Sequence, residues 1–294
     1  MAGVGFDEVI NYSFHSPADI EKLNLPAHSL LRGGVKLLNP ISEELSLMRT
    51  SLLPGLLKTL SLNMNRQTRH LRLFEAGTVF SSDGKGYCEG HRLAAVISGD
   101  ARPPLWRGEN DIYDLKGSLE NLLDLLDVSD YTFVNSDDLE FGHPGRSARV
   151  FSGSLEVARI CEVHPSITEN FDIDGRVYYF DLDFDALNTR PRTKKSYNEI
   201  TSFPYVERDA AFLVDENLPL SNILSVVESE GGALLESVEV FDQFRGKGMA
   251  EGKKSLAVRL RYRSKERTLT DEEVNEAHGA ITALVCTRVD ATIR

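Results

Sequence analysis

Three arginines at alternate positions, Arg259, Arg261 and Arg263, stand in the run SLAVRLRYR (255–263) of an otherwise acidic chain. On a strand, side chains project to opposite faces with period two. These guanidiniums therefore share one face, and Leu256, Val258, Leu260 and Tyr262 share the other. A one-faced row of guanidiniums has the chemistry to meet a phosphate backbone through charge-assisted hydrogen bonds. The same pattern also describes a solvated sheet face whose arginines offset nearby carboxylates, and the residues by themselves leave both readings open. Residues 242–267 hold nine Lys/Arg against three Asp/Glu, a net of +6 in a chain of formal charge -12. Arg245, Lys247, Lys253 and Lys254 precede the strand and complete the candidate RNA-binding set.

Other groupings carry less. RGKGMAEGKKS (245–255) superficially resembles a phosphate loop, which needs four residues between its glycines and then Lys-Ser/Thr. Here Gly248 and Gly252 are separated by three residues, and Gly246 and Gly252 by five. The segment also joins two strands, whereas a phosphate loop opens a helix whose free N–H groups face the anion. His143 and His164 each precede a proline, outside any HExxH or CxxC setting, so they read as turn histidines with local hydrogen bonds. Asp137 and Asp138 lie in a loop-like segment and are most simply solvated. No GxSxG elbow is present. No catalytic residue and no metal ligand is assigned.

The arginine strand needs a sheet around it. Strand 209–215, a helix over 219–230 stopped by Gly231 and Gly232, strands 234–241 and 255–263, a helix opening at Thr270, and a last strand near 290–294 give the order βαββαβ. Thr270 and Glu273 form a capping box for the second helix. With both helices on one sheet face, the arginines fall on the open one, and a four-stranded open face is a common RNA platform. Tyr262 alternates inward, so base stacking is not evident from this strand.

Upstream, the pattern is a mixed antiparallel sheet with helices, hence α+β. A helix capped by Ser51 runs to about Asn63, with Pro54 in its first turn. Strands over 71–80 and 92–98, a helix over 112–127, and strands near 131–135, 148–152, 155–161 and 176–183 follow. Pro191 and the basic stretch NTRPRTKKSYNEI mark an exposed linker.

Hydrophobic content of 41% over 294 residues suits two ordinary soluble domains. There is no apolar run of the roughly 20 residues a membrane helix needs. Residues 1–15 lack a secretory pattern. Cys88, Cys161 and Cys286 are odd in number and far apart, as in a cytoplasmic protein with reduced thiols.

GFDEVINYSF (5–14), NPISEELSLMRTSLLPGLL (39–57), LRLFEAGTVF (71–80), DIYDLKG (111–117) and HPGRSA (143–148) occur in this order. FPYVERDAAFLVD (203–215) and the run 241–274 follow. Together they resemble the C-terminal portion of the bacterial-type phenylalanyl-tRNA synthetase beta subunit family, along essentially the whole chain. The resemblance implies a class II synthetase-like, catalytic-like scaffold over 1–187, a linker over 188–202, and a ferredoxin-fold anticodon-binding domain over 203–294. It implies a subunit of phenylalanine-tRNA ligase, an alpha2-beta2 enzyme in which alpha performs the adenylate chemistry with ATP and magnesium, and this portion binds neither. The implied partners are the alpha subunit, a second beta subunit and tRNA. A working class II site carries an arginine two positions before the acid of its second motif. If Glu75 is that acid, Leu73 stands in the arginine's place, which implies a disabled copy. The family's upstream domains are not present here, so a fragment is expected. The alternative is a free-standing RNA-binding or regulatory protein derived from the synthetase.

Overall fold

Strands that are apolar on both faces must be covered on both sides, and the computed structural model shows such a sheet. It describes residues 1–68, 70–82, 86–99, 110–190, 197, 201–246 and 249–294. The chain divides into two compact units, Met1–Lys194 and Lys195–Arg294. Most of the sequence-placed linker lies outside the described residues.

In the first unit the strands and helices run β1 (Asp7–Glu8), β2 (Phe14–His15), α1 (Pro17–Glu21), β3 (Leu47–Met48), α2 (Leu53–Asn65), β4 (Leu71–Ser82) and β5 (Tyr87–Ser98). Then come α3 (Ile112–Leu125), β6 (Tyr131–Asn135), β7 (Gly142–Ser152), β8 (Leu155–Val163), α4 (Pro165–Asn170), β9 (Val177–Asp183) and α5 (Phe184–Thr189). Among the described residues seven strands pair in the order β1-β4-β5-β9-β8-β7-β6. β1 and β4 are parallel; the other pairs are antiparallel.

Period two splits each strand between two layers. Leu71, Leu73, Ala94, Val96, Val177 and Tyr179 pack with Leu53, Leu56, Leu57 and Leu60 of α2. Phe74, Leu93, Ala95, Ile97, Tyr178, Phe180 and Leu182 pack with Leu115, Leu119, Leu122 and Leu123 of α3. α3 opens on a capping box: the Asp111 carboxylate accepts from the N–H groups of Tyr113 and Asp114 at 2.8 and 3.1 Å, and Asp114 accepts from the Asp111 N–H at 2.9 Å. α2 is entered through Ser51, whose Oγ accepts from the Leu53 N–H at 3.1 Å. The cap position itself falls one residue later, at Leu52. β5 begins five residues before its expected start because Tyr87–His91 is mostly exposed and carries no apolar signal. Its pairing with β4 extends it.

The second unit runs β10 (Val206–Asp215), α6 (Leu220–Glu230), β11 (Leu235–Phe244), β12 (Lys253–Tyr262), α7 (Asp271–Val289) and β13 (Thr292–Ile293). The sheet order is β11-β12-β10-β13, the ferredoxin-like arrangement expected from βαββαβ. Ala210, Phe212 and Val214 of β10 and Leu256, Val258, Leu260 and Tyr262 of β12 bury against Ile223, Val226 and Val227 of α6 and Val274, Ile281 and Val285 of α7. Both helices therefore cover one face. The Thr270–Glu273 box is present: the Thr270 N–H donates to Glu273 at 3.0 Å and the Glu273 N–H to Thr270 Oγ1 at 3.4 Å. A hydrogen bond from Arg267, with help from this box, holds the Glu273 carboxyl down at about 2. No helix among the described residues is long and apolar enough to cross a membrane.

Candidate nucleic-acid interface

β12 is the central strand on which the arginine row depends, with β10 on one side and β11 on the other. Leu256, Val258, Leu260 and Tyr262 are fully buried toward the helices. Arg259, Arg261 and Arg263 occupy the opposite face, with side chains 39%, 36% and 22% exposed. The antiparallel register sets Asp209 opposite Arg259 and Glu207 opposite Arg261 on one flank, and Glu239 opposite Arg259 on the other. Arg259 grips Asp209 with two parallel hydrogen bonds, Nε to Oδ1 at 2.8 Å and Nη2 to Oδ2 at 2.9 Å. Arg261 donates twice to Glu207 Oε1, at 3.2 and 2.8 Å. Arg263 lies 3.3 Å from Glu236. The Arg259 hydrogen bond holds the Asp209 carboxyl below the usual carboxylate range, and the same bond pushes the guanidinium up. The row is thus one-faced, as the alternation requires, and it is also paired with acids.

The hairpin cations divide. Arg245 is half-exposed and stands 3.8 Å from Glu216. Lys253 is partly exposed, opposite Asp215. Lys254 is a correction: β12 starts at Lys253, so position 254 has the inward parity of Leu256. Its side chain is buried and its ammonium donates to the Leu218 carbonyl at 2.7 Å. Burial lowers its pKa first, helped by Arg245. Lys247 lies outside the described residues.

The aromatic complement is richer than β12 suggested. Arg259 lies over the Phe241 ring at 4.9 Å, and Arg261 and Arg263 over Tyr205 at 4.2 and 5.3 Å. Both rings are about half-exposed. Guanidinium planes on aromatic faces make cation–π contacts and leave flat surfaces for further stacking. Tyr205 lies just before β10 and Phe241 within β11, so the alternation of β12 does not point to either.

Glu75 and Arg49 form a second polar centre, in the first unit. Glu75 is 2% exposed and Arg49 7%. Arg49 Nη1 meets Glu75 Oε1 at 2.5 Å, and Arg49 Nε donates to the Thr78 carbonyl at 2.8 Å. Asn11 completes the shell through its N–H and Nδ2, at 3.2 and 2.7 Å. Gly77 makes room: a Cβ there would collide with the Arg49 guanidinium. Leu73, on the same face, is buried with α2. The cavity bordering Arg49 is about 120 Å³, lined by Asn11, His15, Asp19, Ser51 and Lys58 among others. Small-molecule sites are roughly 300–1,000 Å³. Lys58 is committed to Asp19 at 2.6 Å. Burial, more than the nearby Lys58 and Arg49, drives His15 down to about 4, so it stays neutral. These residues do not fit ATP: space is short, and the cations already have carboxylates.

His143 and His164 make local hydrogen bonds, but His143 lies in β7, at its irregular stretch between Gly142 and Ser147, and not in the turn expected for it. Their rings stack with centroids 6.4 Å apart, but His143 Nδ1 meets the Pro144 carbonyl at 2.5 Å, and His164 Nδ1 accepts from the Ser166 N–H at 3.2 Å as the cap of α4. Among the described residues no group of three or more His, Cys, Asp or Glu is arranged to hold a metal.

A mostly antiparallel sheet covered on both faces, followed by a ferredoxin-like sandwich with an arginine–aromatic open face, defines a two-module α+β protein. Residues 1–184 match the family model of the phenylalanyl tRNA synthetase beta chain CLM domain, and residues 201–294 match that of the ferredoxin-fold anticodon binding domain. The chain belongs to the phenylalanyl-tRNA synthetase beta chain family. It is similar to the phenylalanine–tRNA ligase beta subunit of Syntrophotalea carbinolica, 42% identical over 299 residues, covering 100% of this chain and 37% of the relative. The Geobacter sulfurreducens subunit of the same name is 38% identical over 304 residues, with coverages of 100% and 37%. The chain thus spans a little over a third of the length of these relatives. The pyrrolysyl-tRNA synthetase structure from Desulfitobacterium hafniense is similar over 64% of each chain, at a TM-score of 0.49 and 18% identity. The alternative of a free-standing RNA-binding or regulatory protein is not favoured, since both relatives carry the beta-subunit name.

Proposed function

We propose that this chain is the C-terminal, RNA-holding and structural portion of a phenylalanine-tRNA ligase beta subunit. The observation that carries the reading is the row Arg259, Arg261 and Arg263, stacked on Tyr205 and Phe241, on the helix-free face of the second unit. Single-stranded RNA is read by stacking unpaired bases on aromatic and guanidinium planes while cations meet the backbone. An anticodon loop offers both. The contact set is Arg245, Lys253, Arg259, Arg261 and Arg263, with Lys247 retained from the sequence and Lys254 omitted because it faces the helices.

The first unit, in this reading, docks to an alpha subunit and a second beta subunit in an alpha2-beta2 assembly that works in the cytoplasm. Leu30, Leu38 and Ile41 stand almost wholly exposed, as surface awaiting a partner would. The helix at Leu53–Asn65 is not that surface, since Leu53, Leu56, Leu57 and Leu60 are fully buried. The complete enzyme uses ATP and magnesium, and in this account both are held by alpha: Glu75 already answers to Arg49 and Asn11, and Leu73 supplies no charge for a phosphoryl group developing in the transition state. Ultraviolet cross-linking of a phenylalanine-accepting tRNA to the chain tests the reading. Cross-links are expected in peptides 203–209 and 241–263, and cross-links confined to residues 1–184 contradict it.

A further inference from the structure

The open face has an arginine row but no excess of positive charge. Around Arg259, Arg261 and Arg263 stand Glu207, Asp209, Glu236 and Glu239. Two of these acids are not neighbours by accident of rotamer. Glu207 and Asp209 occupy consecutive outward positions of β10, directly opposite Arg261 and Arg259 in the strand register. Ala210, Phe212 and Val214 pin that register by filling the core, so a slip would turn the acids inward. Asp209 takes Arg259 in the two-pronged geometry that a phosphate would use. A carboxylate held this way does to the guanidinium what an RNA backbone would do.

We infer that Glu207 and Asp209 are specificity-determining residues, internal competitors for phosphate that make the face reject RNA offering only its backbone. The inference rests on the reading that this face binds RNA. Exchanging a carboxylate for a phosphate on the same guanidinium gains little, because one anion replaces another and the displaced acid stays close enough to repel the newcomer. A duplex, whose bases are stacked away, brings nothing else. A loop with unstacked bases adds contacts to Tyr205 and Phe241, and these tip the exchange. The acids thus convert a general anion-binding row into one that needs a base alongside the phosphate.

The test compares the intact 294-residue chain with its Glu207→Gln/Asp209→Asn variant. Binding of a phenylalanine-accepting tRNA and of a 20-base-pair RNA duplex is titrated across a range of KCl concentrations. Both positions are on the surface, and an unchanged melting temperature checks the fold. The variant is expected to bind the duplex at least about fivefold more tightly, with a salt slope steeper by about 0.7–0.9 for each freed guanidinium. The ratio of tRNA to duplex affinity is expected to shrink. Unchanged duplex affinity and slope overturn the inference. Weakened tRNA binding in this variant also overturns it, because the acids would then be positioning the arginines. The parent reading fails separately: it falls if Arg259→Ala/Arg261→Ala leaves wild-type tRNA binding untouched, and it survives if only the acid variant is silent.

Discussion

Replacing Arg259 and Arg261 together by alanine is expected to weaken tRNA binding by about tenfold or more and to flatten its dependence on salt. Each lost phosphate contact lowers the slope of log affinity against log salt by about 0.7–0.9. The double variant should therefore lose about 1.4–1.8 in slope. The loss has two sources. The guanidiniums go, and Asp209 and Glu207 are left as uncompensated charges facing the RNA. Filter binding or fluorescence anisotropy at several KCl concentrations reads both numbers. An affinity that drops while the slope holds would mean that the arginines act through their cation–π contacts with Phe241 and Tyr205 rather than through phosphate.

Arg49→Met should lower the stability of the first unit by about 3–5 kcal/mol, the usual effect of removing one partner from a buried ion pair. Glu75 would keep its hydrogen bonds from Asn11 but lose its cation at 2% exposure, and the Thr78 carbonyl would lose its donor. Methionine fills a similar volume, so the loss reports charge more than a cavity. The paired variant Arg49→Met/Glu75→Gln should recover part of it, since the charge that remains buried is then neutral. Chemical denaturation followed by tyrosine fluorescence or circular dichroism measures both. A single variant within about 0.5 kcal/mol of wild type would show that the pair is not what holds this centre.

How far these sites were legible in the sequence depends on the distance over which their residues communicate. The faces of β12 were readable from its own alternation, and so were the helices around Leu56–Leu60 and Leu115–Leu123. A strand read from Ser255 leaves Lys254 in the hairpin; beginning it at Lys253 gives Lys254 the parity of Leu256. The acids opposite the arginines are some fifty residues away, at |i−j| of 50 for Asp209 and 54 for Glu207. No local period announces them. Once β10 and β12 are paired, however, the outward parity of VERDAAFLVD places both acids on the arginine face. Arg49 and Glu75 are joined by tertiary packing, 26 residues apart, and Gly77 is explicable only when the guanidinium against it is seen. Short helices such as Pro165–Asn170 carry no periodic signal, because six residues, fewer than two turns, are too few to show one.

In the proposed division of labour, the second unit holds RNA, and the first unit supports the assembly without forming an adenylate. Phenylalanine-dependent exchange of labelled pyrophosphate into ATP, measured with the purified 294-residue chain and magnesium, tests this most directly. The expected result is exchange no greater than with ATP but no phenylalanine. Exchange that rises in proportion to the chain's concentration and disappears in Glu75→Gln would contradict the account, because it would put a working adenylate site where Arg49 and Leu73 now fill the space.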